Sequence, residues 1–187
     1  MVRRTESVSL RDGRLRLAVI ADTHSSPHPR AAALVAKACP DRVLHAGDIG
    51  SPEVLKTFEG IAPVVAVRGN IDPQGLPDLV QLAVQDEDAR VLFRSLLLHI
   101  GVSGPKLRAD ARRHAAAEDA MIVICGHSHV PFLGRDRGVT IFNPGSIGPR
   151  RFHLPIVFGV LEVTRGESGI GVEMFHVSCE TGERWLP

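Results

Sequence analysis

The chain contains no tyrosine, one tryptophan and seven phenylalanines among its 187 residues. Proteins that hold single-stranded nucleic acid stack the bases on aromatic side chains, so this composition gives such a platform poor support. The formal net charge of +1 also predicts no bulk attraction to nucleic acid or to an anionic membrane. No run approaches the roughly 18–20 apolar residues of a membrane span, and no signal-peptide core is visible. We therefore expect no membrane partner, and nucleic acid is a disfavoured one.

Cysteine is also scarce, because Cys39, Cys125 and Cys179 are widely separated and odd in number. This spacing predicts neither a disulfide framework nor a Cys-x-x-Cys metal knuckle. A reducing compartment, the cytoplasm, is the simplest expectation. Cys125 closes an apolar run and is expected to be a small core residue. The hydrophobic fraction of 44% and the length fit a single domain over residues 1–187.

Apolar runs and turn residues predict a parallel α/β arrangement followed by antiparallel strands. Three short strands alternate with two helices, which is typical of a parallel sheet covered by helices. These strands are predicted over 14–21, 41–46 and 61–67, and the helices over 29–38 and 51–58. Residues 1–13 are expected to be a frayed end or an edge strand. The remaining predicted elements are a hairpin of 79–84 with 89–93, a strand over 95–99, a helix over 106–119, a strand over 121–125, a hairpin of 131–135 with 139–142, and a hairpin of 156–163 with 171–177 that turns over 165–169.

Polar side chains that can bind metal follow the predicted core strands. In an open α/β sheet, ligands bind beyond the carboxyl ends of the strands, so these side chains should meet at one edge. Seven ligands exceed the three protein groups of a typical catalytic metal, but they suit two ions about 3.5–4 Å apart that share a carboxylate. The seven are Asp22, His24, Asp48, Asn70, His99, His127 and His129.

The chemistry of these ligands narrows the range of metals and of substrates that the site could bind. A mixture of imidazole, carboxylate and amide suits Mn²⁺, Fe, Zn²⁺, Co²⁺ or Ni²⁺ better than Ca²⁺ or an all-oxygen Mg²⁺ site. Two divalent ions carry four positive charges, and Asp22, Asp48 and a bridging hydroxide together remove three of them. The remaining positive charge predicts affinity for an anion such as phosphate.

The same residues carry a resemblance to a known family. Asp22-Thr23-His24, Gly47-Asp48, Gly69-Asn70, His99 and Gly126-His127-Ser128-His129 stand in the order seen in calcineurin-like metallophosphoesterases. Asn143-Pro144-Gly145-Ser146 and the short chain resemble the small single-domain phosphodiesterase branch. The resemblance covers about residues 15–178. It implies an α/β fold, a four-layer α/β/β/α sandwich of two mixed sheets.

The resemblance also implies a role for each ligand. One metal would be bound by Asp22, His24 and His129. The other would be bound by Asn70, His99 and His127, and Asp48 would bridge the two. Asp48, Asn70 and His129 are the residues expected to be catalytic. The implied function is a two-metal phosphohydrolase, with a phosphodiesterase favoured, in which a metal-bridging hydroxide attacks phosphorus in line. Mn²⁺ is the favoured ion, Ni, Fe, Co and Zn are alternatives, and the partner is a small phosphate-ester substrate.

Two departures from the family pattern concern residues beside the ligands. Many members have a histidine directly after the Gly-Asn pair, where it is suited to act as a general acid, and this chain has Ile71. The family often shows His-Gly-His where this chain has His99-Ile100-Gly101, so only the first histidine is kept. The first departure predicts modest activity or a need for good leaving groups.

Neighbouring residues have structural as well as functional interpretations. His45 is expected to be a buried, hydrogen-bonded residue, and His114 a solvated surface one. His28 is either a loop residue or a proton donor at the mouth of the cleft. Arg68 is predicted to contact phosphate or to pair with a carboxylate such as Asp72, which is itself expected to accept structural hydrogen bonds. Residues 143–146 are expected to pack against the ligand loops. A groove for a second phosphate substituent, lined by Arg150 and Arg151, is a less favoured interpretation of those two residues.

Three other functions remain open at the level of sequence. A phosphomonoesterase or nucleotide phosphatase would use the same chemistry. A non-catalytic metal-binding scaffold, similar to the retromer subunit of this branch, would keep the fold without turnover. A nuclease is less favoured because no basic stripe is visible. The oligomeric state is undetermined, and a dimer is compatible with the sequence.

Overall fold

The computed structural model describes residues 1–167 and 169–186. Its strands are β1 (Arg3–Ser9), β2 (Arg14–Ile20), β3 (Arg42–His45), β4 (Val64–Ala66), β5 (Leu79–Gln85), β6 (Val91–Leu98), β7 (Val102–Ser103), β8 (Lys106–Leu107), β9 (Ala120–Ile124), β10 (Phe132–Asp136), β11 (Val139–Asn143), β12 (Val157–Gly166), β13 (Gly169–Ser178) and β14 (Arg184–Trp185). Its helices are α1 (Ala31–Lys37), α2 (Pro52–Glu59) and α3 (Ala109–Ala117).

Two mixed six-stranded sheets form the centre of the described fold. The strand order is β14-β13-β12-β2-β3-β4 in one sheet and β1-β5-β6-β9-β11-β10 in the other. In the first sheet β2, β3 and β4 are parallel, and their last residues are in register as Ile20, His45 and Ala66. In the second sheet β6, β9 and β11 are parallel. Loops that follow parallel neighbours therefore leave each sheet side by side.

Three apolar clusters divide the molecule into four layers. The largest cluster lies between the sheets and contains residues of both, such as Leu17 and Leu44 from one and Leu82 and Ile124 from the other. Helices α1 and α2 pack on the outer face of the first sheet, and α3 packs on the outer face of the second. This confirms the predicted α/β/β/α sandwich of two mixed sheets.

Several predicted boundaries change for reasons of pairing. Strands predicted over 89–93 and 95–99 are the single strand β6, because Arg94 and Ser95 both pair with β5. The helix predicted from residue 106 begins at Ala109, because Lys106 and Leu107 pair with β7 instead. Residues 3–9 form an edge strand parallel to β5. Of the two predictions for residues 1–13, the edge strand is therefore confirmed. Of the turn predicted over 165–169, Ser168 lies outside the described residues.

Local sequence explains the start of the second helix. The Ser51 side chain accepts a hydrogen bond from the Glu53 N–H at 3.4 Å, and Pro52 occupies the first helical turn. The α2 helix thereby begins directly after the loop that carries Asp48. Within the described residues, no helix is both long enough and apolar enough to cross a membrane.

Candidate metal centre

Backbone hydrogen bonds join the loops that follow the parallel strands. The Asp22 N–H donates to Gly47 O at 3.0 Å, and the His24 N–H donates to Asp48 O at 3.0 Å. In the other sheet the Gly126 N–H donates to His99 O at 3.0 Å. A bond between the sheets links the two sets, because the His127 N–H donates to Asp22 Oδ2 at 3.0 Å. The predicted ligand loops of both sheets therefore meet at one edge of the sandwich.

Asp22, His24 and His129 form the first side-chain cluster. Their potential ligand atoms all lie within 4.8 Å of one another. His129 Nε2 is 3.6 Å from Asp22 Oδ1 and 3.4 Å from His24 Nε2. The two imidazole rings stack with their centroids 5.3 Å apart. Asp22 and His129 are buried and His24 is half-buried, so the cluster opens toward solvent on the His24 side.

Asp48 stands between this cluster and a second one. Its Oδ2 is 3.7 Å from His24 Nε2, and its Oδ1 is 3.3 Å from His99 Nε2. The two carboxylate oxygens therefore face different imidazoles. Asp22, Asp48 and His99 form a second group whose potential ligand atoms lie within 4.8 Å of one another. This is the placement expected of a carboxylate shared by two ions.

Asn70 and His127 lie on the exposed side of the second group. The His127 ring meets the His99 ring edge-on, with the centroids 5.1 Å apart. The Asn70 N–H donates to Asp48 Oδ1 at 2.5 Å. Both residues are solvent-exposed. The structure thus brings all seven predicted ligands to one place, and their individual roles toward metal stay predictions.

The backbone of these loops is strained where the ligands lie. Five of the seven have φ in the left-handed region, from 46° to 67°, although none is glycine; they are Asp22, His24, Asp48, His127 and His129. Such conformations cost roughly 1–3 kcal/mol each and persist only where the surroundings enforce them. Their concentration at one edge marks it as a functional site.

Glycines at the site allow the loops to approach closely. A Cβ built on Gly69 would overlap Asp48 N and Asp48 Oδ1. Gly47 has φ of +89°, and a Cβ there would lie 2.7 Å from His99 Nδ1. Space therefore favours glycine at both positions, and at Gly47 the positive φ favours it as well.

Burial dominates the electrostatics of the cluster. Desolvation, followed by the charge of Asp48, raises the pKa of Asp22 to about 8. Desolvation, followed by the charges of Arg151 and His24, lowers the pKa of His129 to about 4. Desolvation also lowers the pKa of His99. At neutral pH the imidazoles of His99 and His129 are therefore neutral and offer lone pairs. The Asp22 carboxyl keeps its proton, because burial and the charge of Asp48 disfavour its ionised form.

The hydrogen bonding of His99 tests whether a cation fits. Its Nδ1 lies 2.8 Å from Ala46 O and must donate to it, because a carbonyl only accepts. The Nε2 lone pair then points toward Asp48. Among the described residues, His99 Nε2 and His129 Nδ1 are buried side-chain nitrogens without a hydrogen-bond partner. His99 Nε2 is unpaired beside the Asp48 carboxylate, so it fits a divalent cation that would satisfy the lone pair and the charge together.

Polar residues behind the cluster hold the loops in place. Asp72 Oδ1 accepts the N–H groups of Ile49 and Gly50 at 2.9 Å each, and its Oδ2 accepts the Gly69 N–H at 2.7 Å. This buried carboxylate ties the Asp48 loop to the Asn70 loop. Asp72 is therefore the structural acceptor that was predicted.

His45 and Asn143 also support the loops. His45 Nδ1 accepts the Gly47 N–H at 3.2 Å, and its Nε2 lies 3.0 Å from Thr23 Oγ1. Burial lowers the pKa of His45 to about 3, so this ring is neutral. Asn143 Nδ2 donates to Gly126 O at 2.8 Å, which confirms that residues 143–146 pack against the ligand loops.

The other predicted neighbours divide between the site and the surface. Arg68 pairs with a carboxylate, as one of its two interpretations predicted, but the partner is Asp78, at 2.6 Å. Asp72 already accepts three backbone N–H groups. His28 Nδ1 accepts the Arg30 N–H at 3.3 Å, which is a loop contact. His114 is half-buried and lies 2.9 Å from Arg3 Nη2, so it is less exposed than predicted.

The two arginines of the predicted groove have different surroundings. Arg151 Nη2 lies 3.3 Å from His24 Nε2, at the metal centre. Arg150 is directed away from it, since its guanidinium pairs with Glu180 and donates to Leu154 O at 3.2 Å. Of the two, Arg151 is the arginine that lies beside a predicted metal ligand, and its role toward substrate stays a prediction.

Two supporting residues were not identified from the sequence. Asp78 lies ten residues after Arg68, across a loop. At that separation no helical or strand periodicity indicates that the two side chains pair. His176 Nε2 donates to Asn143 O at 2.8 Å and holds the strand that carries Asn143. Its position in the alternating β13 strand was the only available signal.

A cavity of about 400 Å³ adjoins the second group of ligands. Its wall next to the metal centre is formed by Asn70 and His99, and its far wall by α3. An ion pair of Arg68 with Asp78 and the polar side chains of Asp110 and His114 provide hydrogen-bonding groups along it; Leu79, Leu98 and Ile100 provide the apolar floor. The cavity is large enough for a small organic substituent.

Comparison with known sequences places the chain in a family. The sequence model of the Calcineurin-like phosphoesterase superfamily domain matches residues 15–166. A probable metallophosphoesterase of Methanothermobacter thermautotrophicus is 32% identical over 141 residues, which are 70% of this chain and 76% of that protein. A probable metallophosphoesterase of Methanocaldococcus jannaschii is 31% identical over 106 residues, or 57% of this chain. The chain spans about half the length of that relative, 53%.

Solved structures show the same fold at lower identity. YfcE, a phosphoesterase from E. coli, has a TM-score of 0.61 at 18% identity, over 92% of this chain and 97% of that chain. An archaeal phosphodiesterase has a TM-score of 0.57 at 20% identity, over 87% and 100%. Vacuolar Protein Sorting 29 from Cryptosporidium parvum has a TM-score of 0.66 at 18% identity, over 89% and 100%.

Proposed function

Because the chain belongs to the calcineurin-like phosphoesterase superfamily, we propose that it is a two-metal phosphohydrolase that favours phosphodiesters. The observation that carries this proposal is the position of Asp48, whose two oxygens face His24 on one side and His99 on the other. A carboxylate placed in this way is suited to hold two ions together. Mn²⁺ is the ion we propose, and a small phosphate ester is the proposed partner.

The ligand residues would divide between two ions. Asp22, His24 and His129 would hold one, and Asn70, His99 and His127 the other, with Asp48 shared. Bound divalent ions supply Lewis-acid stabilisation of the charge that develops on the phosphoryl oxygens. The protein's own contribution is to hold four imidazoles and two carboxylates in fixed positions before substrate arrives.

Second-layer hydrogen bonds provide that preorganisation. The His99 ring is oriented by its bond to Ala46 O, and Asp22 is oriented by the His127 N–H. Asp48 Oδ1 receives two N–H groups, from Asn70 at 2.5 Å and Ile71 at 3.2 Å. These bonds keep the ligands near the productive arrangement, so little reorganisation is required when substrate binds.

Ile71 limits the leaving groups that the site can release. It lies at the mouth of the site with 51% of its surface exposed, and its side chain cannot transfer a proton. A leaving oxygen must therefore depart as a stable anion or take its proton from solvent. We infer that esters of acidic alcohols, such as phenols, are hydrolysed faster than simple alkyl esters.

The cavity beside Asn70 and His99 supports a diester over a monoester. A monoester presents one organic substituent, whereas a diester presents two and needs room on both sides of phosphorus. The cavity of about 400 Å³ offers that room next to the second group of ligands. The archaeal phosphodiesterase with the same fold is consistent with this preference.

Free cysteines support a reducing compartment. Cys39, Cys125 and Cys179 are all unpaired. Burial raises the pKa of the Cys125 thiol to about 12, so it remains a neutral core residue. We propose the cytoplasm as the location on this basis.

Hydrolysis of a bis-aryl phosphate tests the proposal. We expect turnover by the purified protein with Mn²⁺ or Ni²⁺, and loss of turnover in Asp48→Ala and His127→Ala. Asp88→Ala is a matched control, because this exposed carboxylate lies in the β5–β6 turn at the opposite end of the sheet. Unchanged activity in either ligand variant would contradict the site assignment.

A non-catalytic scaffold is the second candidate. The fold shared with Vacuolar Protein Sorting 29 gives it weak support, because the identity of 18% shows the fold alone. The presence of all seven ligands favours an enzyme. Two bound ions without turnover of any phosphate ester would instead favour the scaffold.

A further inference from the structure

Arg151 is a cation at the metal centre with no carboxylate partner among the described residues. Its Nη2 lies 3.3 Å from His24 Nε2. It also lines a narrow crevice together with His129. No salt bridge within residues 1–167 and 169–186 involves Arg151, whereas the adjacent Arg150 pairs with Glu180. Arg151 is solvent-exposed, and its rigid fork of N–H donors matches the geometry of a carboxylate or a phosphate.

The loop that carries Arg151 is anchored to the ligand loops. Ser146 Oγ donates to Asp22 O at 3.0 Å, and a Cβ built on Gly148 would overlap that same oxygen. The Leu154 N–H donates to Arg151 O at 3.1 Å, which closes the loop. Arg151 is therefore placed at the centre by backbone and neighbouring contacts, and its guanidinium is left free to bind.

The position of Arg151 is unfavourable for metal binding alone. A guanidinium beside His24 repels a divalent ion that binds the same imidazole. Metal binding at His24 Nε2 would also use the lone pair that Arg151 now contacts. An anion between the guanidinium and the ions would remove the repulsion and satisfy the released N–H groups.

We propose that the Arg151 guanidinium binds the non-bridging phosphoryl oxygens of the substrate. This inference rests on the proposed function, because it takes phosphate as the anion. Arg151 is then a substrate-binding residue on the His24 side of phosphorus, opposite the cavity beside Asn70 and His99. Arg150 is a positioning residue for the loop. A planar guanidinium suits this task because it donates two parallel hydrogen bonds to two phosphoryl oxygens.

Phosphate binding to the Mn²⁺-loaded protein tests this inference without any turnover. Titration calorimetry with inorganic phosphate would be performed on wild type, Arg151→Gln and Arg151→Lys. We expect affinity to fall roughly 10- to 100-fold in Arg151→Gln, the range for losing hydrogen bonds to a charged group. Arg151→Lys should recover part of this loss because it restores the charge but not the paired geometry.

Arg137→Gln is the matched control. It removes the same charge from the β10–β11 turn, which lies at the far end of β11 from the centre. Its phosphate affinity should equal that of wild type, so a general effect of net charge would be detected. Mn²⁺ content and thermal unfolding of Arg151→Gln should also equal those of wild type.

Three results would overturn the inference. They are equal phosphate affinity in Arg151→Gln and wild type, an equal loss in Arg137→Gln, and loss of Mn²⁺ together with phosphate, which would indicate a structural role. Hydrolysis of the bis-aryl phosphate by wild type is measured separately. Turnover with unaltered phosphate affinity in Arg151→Gln refutes only the role of Arg151. Absence of turnover in wild type refutes the proposed function, whatever the calorimetry shows.

Discussion

Replacing Asp22 with asparagine should stabilise the metal-free protein and weaken the ion site that Asp22 is proposed to form with His24 and His129. The Asp22 carboxyl is fully buried beside Asp48, and these surroundings raise its pKa to about 8. Asparagine has the same shape and still accepts the His127 N–H through its oxygen. The variant therefore removes the ionisable group with little change in packing.

The magnitude follows from the difference between folded and unfolded pKa values. The unfolded chain ionises Asp22 near 3.8, whereas the folded chain holds the proton to about 8. The contribution of Asp22 to stability is thus complete below pH 3.8 and is lost as the pH rises toward 8. At about 1.4 kcal/mol for each pH unit in this window, the loss is on the order of 1.5 kcal/mol at pH 5 and 5 kcal/mol at pH 8.

Urea unfolding in a chelator, followed by circular dichroism, measures this difference. With a slope of roughly 2 kcal/mol per molar urea, the midpoint of Asp22→Asn should exceed that of wild type by about 2 M near pH 8. The difference should shrink to below about 1 M at pH 5. Asp88→Asn, at an exposed position, should show no such pH-dependent difference. Added Mn²⁺ should stabilise Asp22→Asn less than wild type, because only the proposed site of Asn70, His99, His127 and Asp48 keeps all its ligands.

A pH-independent difference between Asp22→Asn and wild type would refute the reasoning. So would a variant that is less stable than wild type at pH 8 in chelator. Either result would mean that Asp22 is ionised in the metal-free fold and is compensated by charges that the structure does not place beside it.

Three further predictions concern the loops and the metal. Gly69→Ala should lower Mn²⁺ content and activity at least tenfold, because the new Cβ would overlap Asp48. Elemental analysis and turnover would measure this, and a normal metal content would contradict it. Asn143→Ala should lower the free energy of unfolding by about 1–3 kcal/mol, because Gly126 O and Ser128 Oγ lose their hydrogen-bond donor. Thermal unfolding would measure this, and an unchanged melting temperature would contradict it. Chelation of wild type should lower stability by about 2.7 kcal/mol relative to protein at 100 times the Kd for one Mn²⁺ site, and a melting temperature independent of Mn²⁺ would exclude tight binding.

Much of the fold could be predicted because its signals are local. The strands β2, β3 and β9 are short apolar runs that are soon followed by Gly, Asp or His. Both the burial of these strands and the positions where they end can therefore be predicted from the sequence. The errors occurred where pairing with a distant strand decides the boundary. Arg94 and Ser95 interrupt an apolar pattern and yet continue β6, because β5 supplies their hydrogen bonds.

The candidate site shows the same division. Its seven side chains could be predicted because parallel strands deliver their carboxyl ends to a common edge, and each ligand lies within a few residues of a strand end. The pairing partners of the nearby charged side chains could not be predicted from the sequence. Arg68 pairs with Asp78 and not Asp72, because Asp72 already accepts backbone N–H groups from the Asp48 loop and from its own loop.

The fold class, the succession of most strands along the chain and the residue types at the edge of the sheets could be predicted from the sequence. The division of those residues around Asp48, the raised pKa of Asp22 and the placement of Arg151 rather than Arg150 at the centre depend on the folded structure. The difference arises because periodicity and turn chemistry act over a few residues. Desolvation, charge coupling and the direction of a loop side chain depend on groups that lie far apart in the chain.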